Sequence, residues 1–198
     1  QAFERVQAYI HAGDCYQINL TQRFRAPCQG DPWAAYQALR AACPTPFSGY
    51  QVLADGSALL SFSPERFIRV SQGEVETRPI KGTRARSADP VQDAANAAEL
   101  LASTKDRAEN LMIVDLLRND LSRVAEVGSV RVPDLFELHA LPTVWQMTSD
   151  VVARTRPGTT LLDVFTALFP CGSITGAPKI RAMQVVEEVE AAPRGIYC

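Results

Sequence analysis

The chain has 198 residues, of which 46% are hydrophobic and 21% are charged, and its formal net charge is −2. This composition is typical of a soluble globular protein, and so small a net charge gives no reason to expect nucleic acid or an anionic membrane as a partner. No apolar run approaches the ~18 residues that span a bilayer, and no signal peptide opens the sequence.

The five cysteines are odd in number and include no C-x-x-C pair. They therefore argue against a disulfide framework and against a structural zinc site. Free thiols in a reducing environment are the simplest account, so we predict a cytoplasmic location. The chain opens directly on a predicted helix, residues 1–12, and residues 195–198 suggest the start of an apolar strand. We therefore expect one domain, residues 1–198, truncated at both ends.

Short strands dominate the first half of the predicted structure. Apolar and polar residues alternate over residues 15–24, which indicates a half-buried strand, and Asp31-Pro32 is typical of a helix start. Hairpin turns are expected at Asp55-Gly56 and Gln72-Gly73, and hairpins imply antiparallel pairing. The four strands that flank these turns are predicted at residues 50–53, 58–62, 67–70 and 74–78.

Helices dominate the second half. The pattern predicts them at residues 89–103, 105–124, 160–168 and 178–189, with extended segments at 128–132 and 143–153. Antiparallel strands together with separate helices indicate an α+β fold.

The segment Pro79-Ile80-Lys81-Gly82-Thr83 places a lysine in a corner between a proline and a glycine. A held lysine loses side-chain entropy and resists burial, so such a position suggests nucleophilic chemistry. The alternative is a solvated lysine in an ordinary turn.

A second segment, residues 172–179, is a turn of small residues that leads directly into a helix. Its free N–H groups and the helix dipole suit a carboxylate or phosphate, although the spacing is not that of a Walker A loop. The alternative is a plain helix cap.

Three acidic residues are further candidates. Asp106 and Glu109 share a face of the long helix, at a spacing that suits Mg²⁺, although acidic residues in a first helical turn also simply complement the dipole. Glu65, in a tight connection between two strands, is a candidate general acid or a solvated turn residue.

The order of these motifs resembles the chorismate-binding enzyme family, which includes anthranilate, aminodeoxychorismate, isochorismate and salicylate synthases. The resemblance covers nearly the whole chain. The segments that carry it are Ser63-Pro64-Glu65-Arg66-Phe67, Pro79 to Thr83, Asp106-Arg107-Ala108-Glu109-Asn110, Asp115 to Leu121, Gly172 to Lys179 and Arg194-Gly195-Ile196-Tyr197.

The resemblance implies a four-layer β/α/α/β sandwich of antiparallel sheets with central helices and an active site in the cleft between the sheets, of which this chain would be an incomplete piece. It implies that Lys81 and Glu65 are catalytic and that Mg²⁺ binds Glu109, with Asp106 secondary. The family's further metal carboxylates, beyond Tyr197, are not in this sequence. The residues expected to bind substrate are Gly82, Thr83, Ser173, Thr175, Gly176 and Tyr197.

Within the family, a lysine at position 81 resembles the branch that aminates chorismate to 4-amino-4-deoxychorismate, for 4-aminobenzoate and folate; anthranilate and isochorismate enzymes carry alanine there. Gln146, where anthranilate-type enzymes have histidine, suits amination without pyruvate elimination. This branch implies a transaminase-like, Mg²⁺-dependent reaction, with ammonia from a glutamine amidotransferase subunit or fused domain. The alternatives are an anthranilate, isochorismate or salicylate synthase, and a non-catalytic chorismate-binding or regulatory domain.

Overall fold

The computed structural model describes all residues from Gln1 to Cys198 and separates them into two units. The main unit comprises Gln1–Gln22 and Phe67–Cys198, and the small unit comprises Arg23–Arg66. None of the helices combines the length and the apolar character that crossing a membrane requires.

The helices and strands alternate irregularly along the chain. Two short 3-10 helices, Gly172–Ile174 and Gly195–Tyr197, accompany the last of them. In chain order the elements are α1 (Ala2–His11), β1 (Gln17–Ile18), α2 (Pro32–Ala42), β2 (Phe47–Val52), β3 (Ala58–Ser63), β4 (Arg66–Ser71), β5 (Glu74–Arg78), β6 (Ile80–Ala85), α3 (Pro90–Ala102), α4 (Thr104–Ser122), β7 (Glu137–Ala140), β8 (Val144–Thr148), β9 (Val151–Arg154), α5 (Leu161–Leu168), β10 (Gly176–Ala177) and α6 (Lys179–Val189).

The main unit contains three small sheets. Two have three strands, in the orders β4-β5-β9 and β6-β8-β7, and the third pairs β1 with β10. The pairs β5–β9, β6–β8, β7–β8 and β1–β10 are all antiparallel. The expectation of an α+β fold with antiparallel sheets is confirmed.

The core of the main unit lies around α4, which packs against β6, β9 and α5. This helix begins where the Ser103 hydroxyl accepts the Asp106 N–H at 3.2 Å, a regular N-cap. The buried core residues that it shares with the β5–β9 sheet and α5 are Val75, Ile113, Val114, Leu117, Leu121, Val151, Ala153, Val164, Ala167 and Leu168.

In the small unit, α2 packs on the β2–β3 hairpin. The carboxylate of Asp31 caps α2 by accepting the N–H groups of Trp33 and Ala34. An aromatic cluster joins the helix to the hairpin through Trp33, Tyr36, Tyr50 and Phe62.

The structure corrects several strand predictions. Only Gln17–Ile18 of the predicted strand at 15–24 is a strand, because β10 offers it a two-residue partner and Phe24 lies exposed. Residues 128–132 form an isolated bridge through Arg131, and Gly195–Tyr197 is a 3-10 helix instead of the start of a strand. The extended stretch at 143–153 is two strands, and strand β7 was not predicted.

Candidate active site

Lys81 lies in strand β6 and not in a turn, which corrects the prediction for this segment. The pairing of β6 with β8 changes register between Ile80 and Thr83, so the strand is irregular where Lys81 sits. The half-buried Lys81 side chain donates from Nζ to the backbone carbonyl oxygen of Ser173, at 3.1 Å. The lysine segment and the small-residue turn, 92 residues apart, therefore meet.

Gly82 is required by its surroundings. Its φ is +93°, and a Cβ there would lie 2.8 Å from Leu100 Cδ1 and 3.0 Å from Asp106 Cβ. Strand β6 thus approaches α3 and α4 so closely at this point that no side chain fits. The predicted role of Gly82 in substrate binding stays a prediction, but its conformation and packing already account for the glycine.

Thr83 follows on β6 and pairs with Gln146 on β8, which in turn pairs with His139 on β7. Directly opposed residues in antiparallel strands point to the same side of a sheet. Thr83, Gln146 and His139 therefore form a polar row across this sheet. His139 lies in no motif of the sequence and was not among the predicted site residues.

Asp106 is buried, and its carboxylate is already paired. Arg84 Nη2 lies 3.1 Å from Asp106 Oδ2, and Arg84 Nε also donates to Glu99 at 2.9 Å. These hydrogen bonds raise the pKa of the Arg84 guanidinium. A metal ion at Asp106 would have to displace Arg84, so this residue fits the predicted metal role poorly.

Glu109 is the better metal candidate. It lies one helical turn after Asp106, its side chain is 37% exposed, and its nearest cation is Lys105 Nζ at 3.7 Å. Mg²⁺ commonly takes one or two protein carboxylates and keeps several waters, so a single accessible glutamate fits part of such a shell. No group of three or more His, Cys, Asp or Glu side chains is arranged to hold a metal.

The turn that meets Lys81 is built from the 3-10 helix Gly172–Ile174 and strand β10. The Thr175 hydroxyl donates to the Cys171 carbonyl oxygen at 3.0 Å, so its one proton already has a partner. Gly176 has a φ of +150°, and a Cβ there would overlap the backbone oxygen of Gln17. The side-chain oxygen of Ser173 is buried and has no hydrogen-bond partner.

Two predicted residues, Tyr197 and Glu65, remain. Tyr197 lies in the second 3-10 helix and is 58% exposed. Glu65 belongs to the small unit, in the connection between β3 and β4, where its N–H donates to the Ser63 hydroxyl at 3.2 Å. The structure thus brings Lys81, Gly82, Asp106 and Ser173 into one neighbourhood.

Arg194 and Glu190 form a buried ion pair that sequence reasoning missed. Arg194 Nη2 lies 2.7 Å from Glu190 Oε1, and the two side chains are 7% and 5% exposed. Although burial raises the pKa of Glu190, hydrogen bonds from Arg194 and Thr21 outweigh it and leave that pKa lowered. The spacing of four residues in the sequence was the available signal.

The chain resembles known proteins over its whole length. The family described as "chorismate binding enzyme" matches the chain over residues 1–198. The chain is 54% identical to aminodeoxychorismate synthase component 1 of Klebsiella aerogenes and 50% identical to that of Escherichia coli, in each case over 100% of this chain and 44% of the relative. It is 44% identical to anthranilate synthase component 1 of Aquifex aeolicus, over 98% of this chain and 39% of the relative.

Among solved structures, anthranilate synthase component I from Streptococcus pneumoniae matches with a TM-score of 0.89 and 36% identity, over 99% of this chain and 43% of that one. This likeness confirms the predicted fold class. The chain spans less than half the length of these relatives. A family match over every residue, together with relatives above 50% identity, shows that the chain belongs to the chorismate binding enzymes.

Proposed function

We propose that this chain carries the centre that aminates chorismate to 4-amino-4-deoxychorismate, the reaction named by its relatives of 50–54% identity. The observation that carries the proposal is the 3.1 Å hydrogen bond from Lys81 Nζ to the Ser173 carbonyl oxygen. It joins the lysine that distinguishes the aminating branch to the turn expected to bind a substrate carboxylate. Mg²⁺, cytoplasmic location and a glutamine amidotransferase partner belong to the same proposal.

Lys81 would act as the nucleophile. Its neutral amine attacks C2 of the chorismate ring, the two ring double bonds shift, and the C4–O bond breaks. Ammonia then adds at C4, the double bonds return, and the C2–N bond to Lys81 breaks. The net reaction converts chorismate and ammonia into 4-amino-4-deoxychorismate and water, and covalent catalysis of this kind replaces one difficult step by two easier ones.

Glu65 would donate the proton that turns the departing 4-hydroxyl group into water. Hydroxide is a poor leaving group, and a positioned acid typically contributes about 10²–10⁴-fold to the rate.

Chorismate carries two carboxylates, and the chain offers two kinds of partner for them. The Ser173 hydroxyl, buried and without an intramolecular partner, is suited to one of them. Glu109 is suited to hold Mg²⁺, which supplies positive charge toward the other carboxylate when it is bound. Thr83, on the edge of the lysine segment, and Tyr197 would complete the substrate contacts.

A product assay tests the proposal. The complete gene product is incubated with chorismate, Mg²⁺ and an ammonium salt, and products are identified by mass spectrometry alongside an enzymatic assay for pyruvate. We expect an aminated product that keeps the enolpyruvyl group, without pyruvate. Release of one pyruvate per chorismate would indicate anthranilate synthesis, to whose enzymes the chain is also 40–44% identical. Binding without turnover would indicate a non-catalytic domain.

A further inference from the structure

The carbonyl oxygen that holds Lys81 accepts a second hydrogen bond. The side-chain amide of Asn19 donates from Nδ2 to Ser173 O at 2.9 Å, beside the bond from Lys81 Nζ at 3.1 Å. A carbonyl oxygen has two lone pairs, so these two donors use its full capacity to accept hydrogen bonds. The amide and the lysine amine therefore share one acceptor, and the position of each constrains the other.

Both backbone polar groups of Asn19, the N–H and the carbonyl, form hydrogen bonds. Its N–H donates to the Thr175 carbonyl at 2.9 Å, and its own carbonyl accepts from Arg194 Nη2 at 2.6 Å. Arg194 Nη1 also donates to the Ile174 carbonyl, at 2.6 Å. Because the Arg194 guanidinium is buried against Glu190, one rigid group ties Asn19 to the turn.

We propose that Asn19 is a positioning residue for Lys81, an inference that rests on the proposed function of Lys81 as the nucleophile. By donating to Ser173 O, Asn19 fixes the direction of the carbonyl that receives the lysine amine. One N–H of that amine is then held on a defined side, and its lone pair is directed away from the carbonyl. A long lysine side chain has many rotamers, so a fixed acceptor restricts the directions from which it attacks.

The amide donor is the chemically important part of Asn19. Ser173 O is an acceptor, so a carboxylate of the same shape would present a second acceptor and repel it. Asn19→Asp therefore keeps the shape of the side chain and removes the donor, while Asn19→Ala removes both. Asn19 is not expected to contact chorismate, so its loss should change the rate of the chemical step and not substrate affinity.

A matched control is a hydrogen bond from helix α3 to the strand that carries Lys81. Asn96 Nδ2 donates to the backbone carbonyl of Ala85, also at 2.9 Å, at the far end of β6 from Lys81. Asn96→Ala removes an amide-to-carbonyl bond of the same length, at a more exposed position, without touching the acceptor of Lys81. A general loss of stability would affect both variants, whereas a positioning role affects only Asn19.

The experiment measures kcat, KM for chorismate and thermal midpoint in the complete gene product, and the yield of the Lys81–substrate adduct by mass spectrometry without ammonia. We expect Asn19→Asp and Asn19→Ala to lower kcat about 10- to 100-fold, with little change in KM and a lower adduct yield. Asn96→Ala should keep the parental kcat.

If Asn19→Ala does not fold, the kcat and adduct yield of Asn19→Asp alone test the inference. Parental kcat and adduct yield in Asn19→Asp would overturn the inference and leave the proposed function intact, provided that Lys81→Ala is inactive. An equal loss of kcat in Asn96→Ala would also overturn it, because the effect would then be structural. Full activity of Lys81→Ala would instead refute the nucleophile on which the inference rests.

Discussion

Lys179 Nζ lies 2.6 Å from Asp120 Oδ2, and both side chains are more than nine-tenths buried. Lys179 also donates to the carbonyl oxygens of Leu168 and Pro170, at 3.0 and 3.3 Å. Burial raises the pKa of the Asp120 carboxyl, and the hydrogen bond from Lys179 opposes that rise. The lysine that ends the small-residue turn is therefore a structural link between α4 and the segment after α5.

Removing one member of this pair should destabilise the protein strongly. Lys179→Met leaves the Asp120 carboxylate buried without a cation, and such a loss typically costs about 3–5 kcal/mol. The double variant Asp120→Leu with Lys179→Met removes both charges and should recover much of this loss. Urea unfolding monitored by circular dichroism measures both. An unchanged midpoint in Lys179→Met would contradict the structural role.

Asp93 gives a prediction for acid stability. Its carboxylate accepts hydrogen bonds from Arg86, from the Ser87 N–H at 3.0 Å and from Trp145 Nε1 at 3.1 Å. The hydrogen bond from Arg86, followed by those from Ser87 and Trp145, lowers the pKa of Asp93 to about 2. A lowered carboxyl pKa adds stability above the unfolded value of ~3.9, and this stability is lost as the pH falls toward 2.

We therefore expect Asp93→Asn to destabilise the protein at pH 5 and to do so progressively less between pH 4 and pH 2. Denaturant midpoints of both proteins, measured across that range, provide the test. Asp163→Asn is a useful comparison, because hydrogen bonds from Thr160, the N-cap of α5, also lower the pKa of Asp163. A stability difference for Asp93→Asn that is independent of pH would contradict the assignment.

The sequence predicted helices well and strands less well, for a physical reason. Helix α4 carries its own signals, a cap at Ser103 and an apolar stripe that ends in Leu121. A strand depends on partners that are distant in sequence. The alternating segment 15–24 has the pattern of a strand, but β10 pairs with only two of its residues.

The same limit applies to the candidate site. The sequence identified Lys81 and Ser173 as members of separate motifs, and only the structure shows their hydrogen bond. Asn19 contacts Ser173 and Glu190 contacts Thr21 across more than 150 residues, and no local pattern reports such contacts. Asp106 has the spacing of a metal ligand, but Arg84 occupies its carboxylate.

Lys81 is expected to be indispensable for amination. Lys81→Ala removes the amine, and Lys81→Arg keeps a cation able to reach Ser173 O but has no nucleophilic nitrogen at neutral pH. Both should lower ammonia-dependent amination by about three orders of magnitude or more. The assay uses saturating ammonium, with circular dichroism as the check on folding. Substantial activity in Lys81→Arg would show that the residue supplies charge and not a covalent bond.

Glu109 is expected to contribute to Mg²⁺ binding more than Asp106 does. Glu109→Gln removes an accessible carboxylate and should weaken Mg²⁺ binding about tenfold without changing the unfolding midpoint. Asp106→Asn breaks the pair with Arg84 and should mainly lower that midpoint. Calorimetry on the complete gene product, with and without chorismate, measures the metal affinity. Because linkage is reciprocal, chorismate should tighten Mg²⁺ binding, and this coupling should be lost in Glu109→Gln.

Two neighbouring hydroxyl groups in the Gly172–Ala177 segment should have different roles. The Ser173 hydroxyl is buried without a partner, whereas the Thr175 hydroxyl donates to Cys171 O. Ser173→Ala should therefore raise KM for chorismate, since a hydrogen bond to a charged group is worth about 1.5–3 kcal/mol. Thr175→Val should instead lower stability by about 1 kcal/mol, with little change in KM.

Steady-state kinetics and urea unfolding of both variants separate the two roles. The two residues lie two positions apart and both substitutions remove a hydroxyl group with little change in volume, so each variant serves as the control for the other. A raised KM in Thr175→Val with parental stability would indicate that the Thr175 hydroxyl contacts a chorismate carboxylate, as the sequence predicted. A parental KM in Ser173→Ala would leave the Ser173 hydroxyl without a substrate role, and the second carboxylate would then need a partner outside this turn.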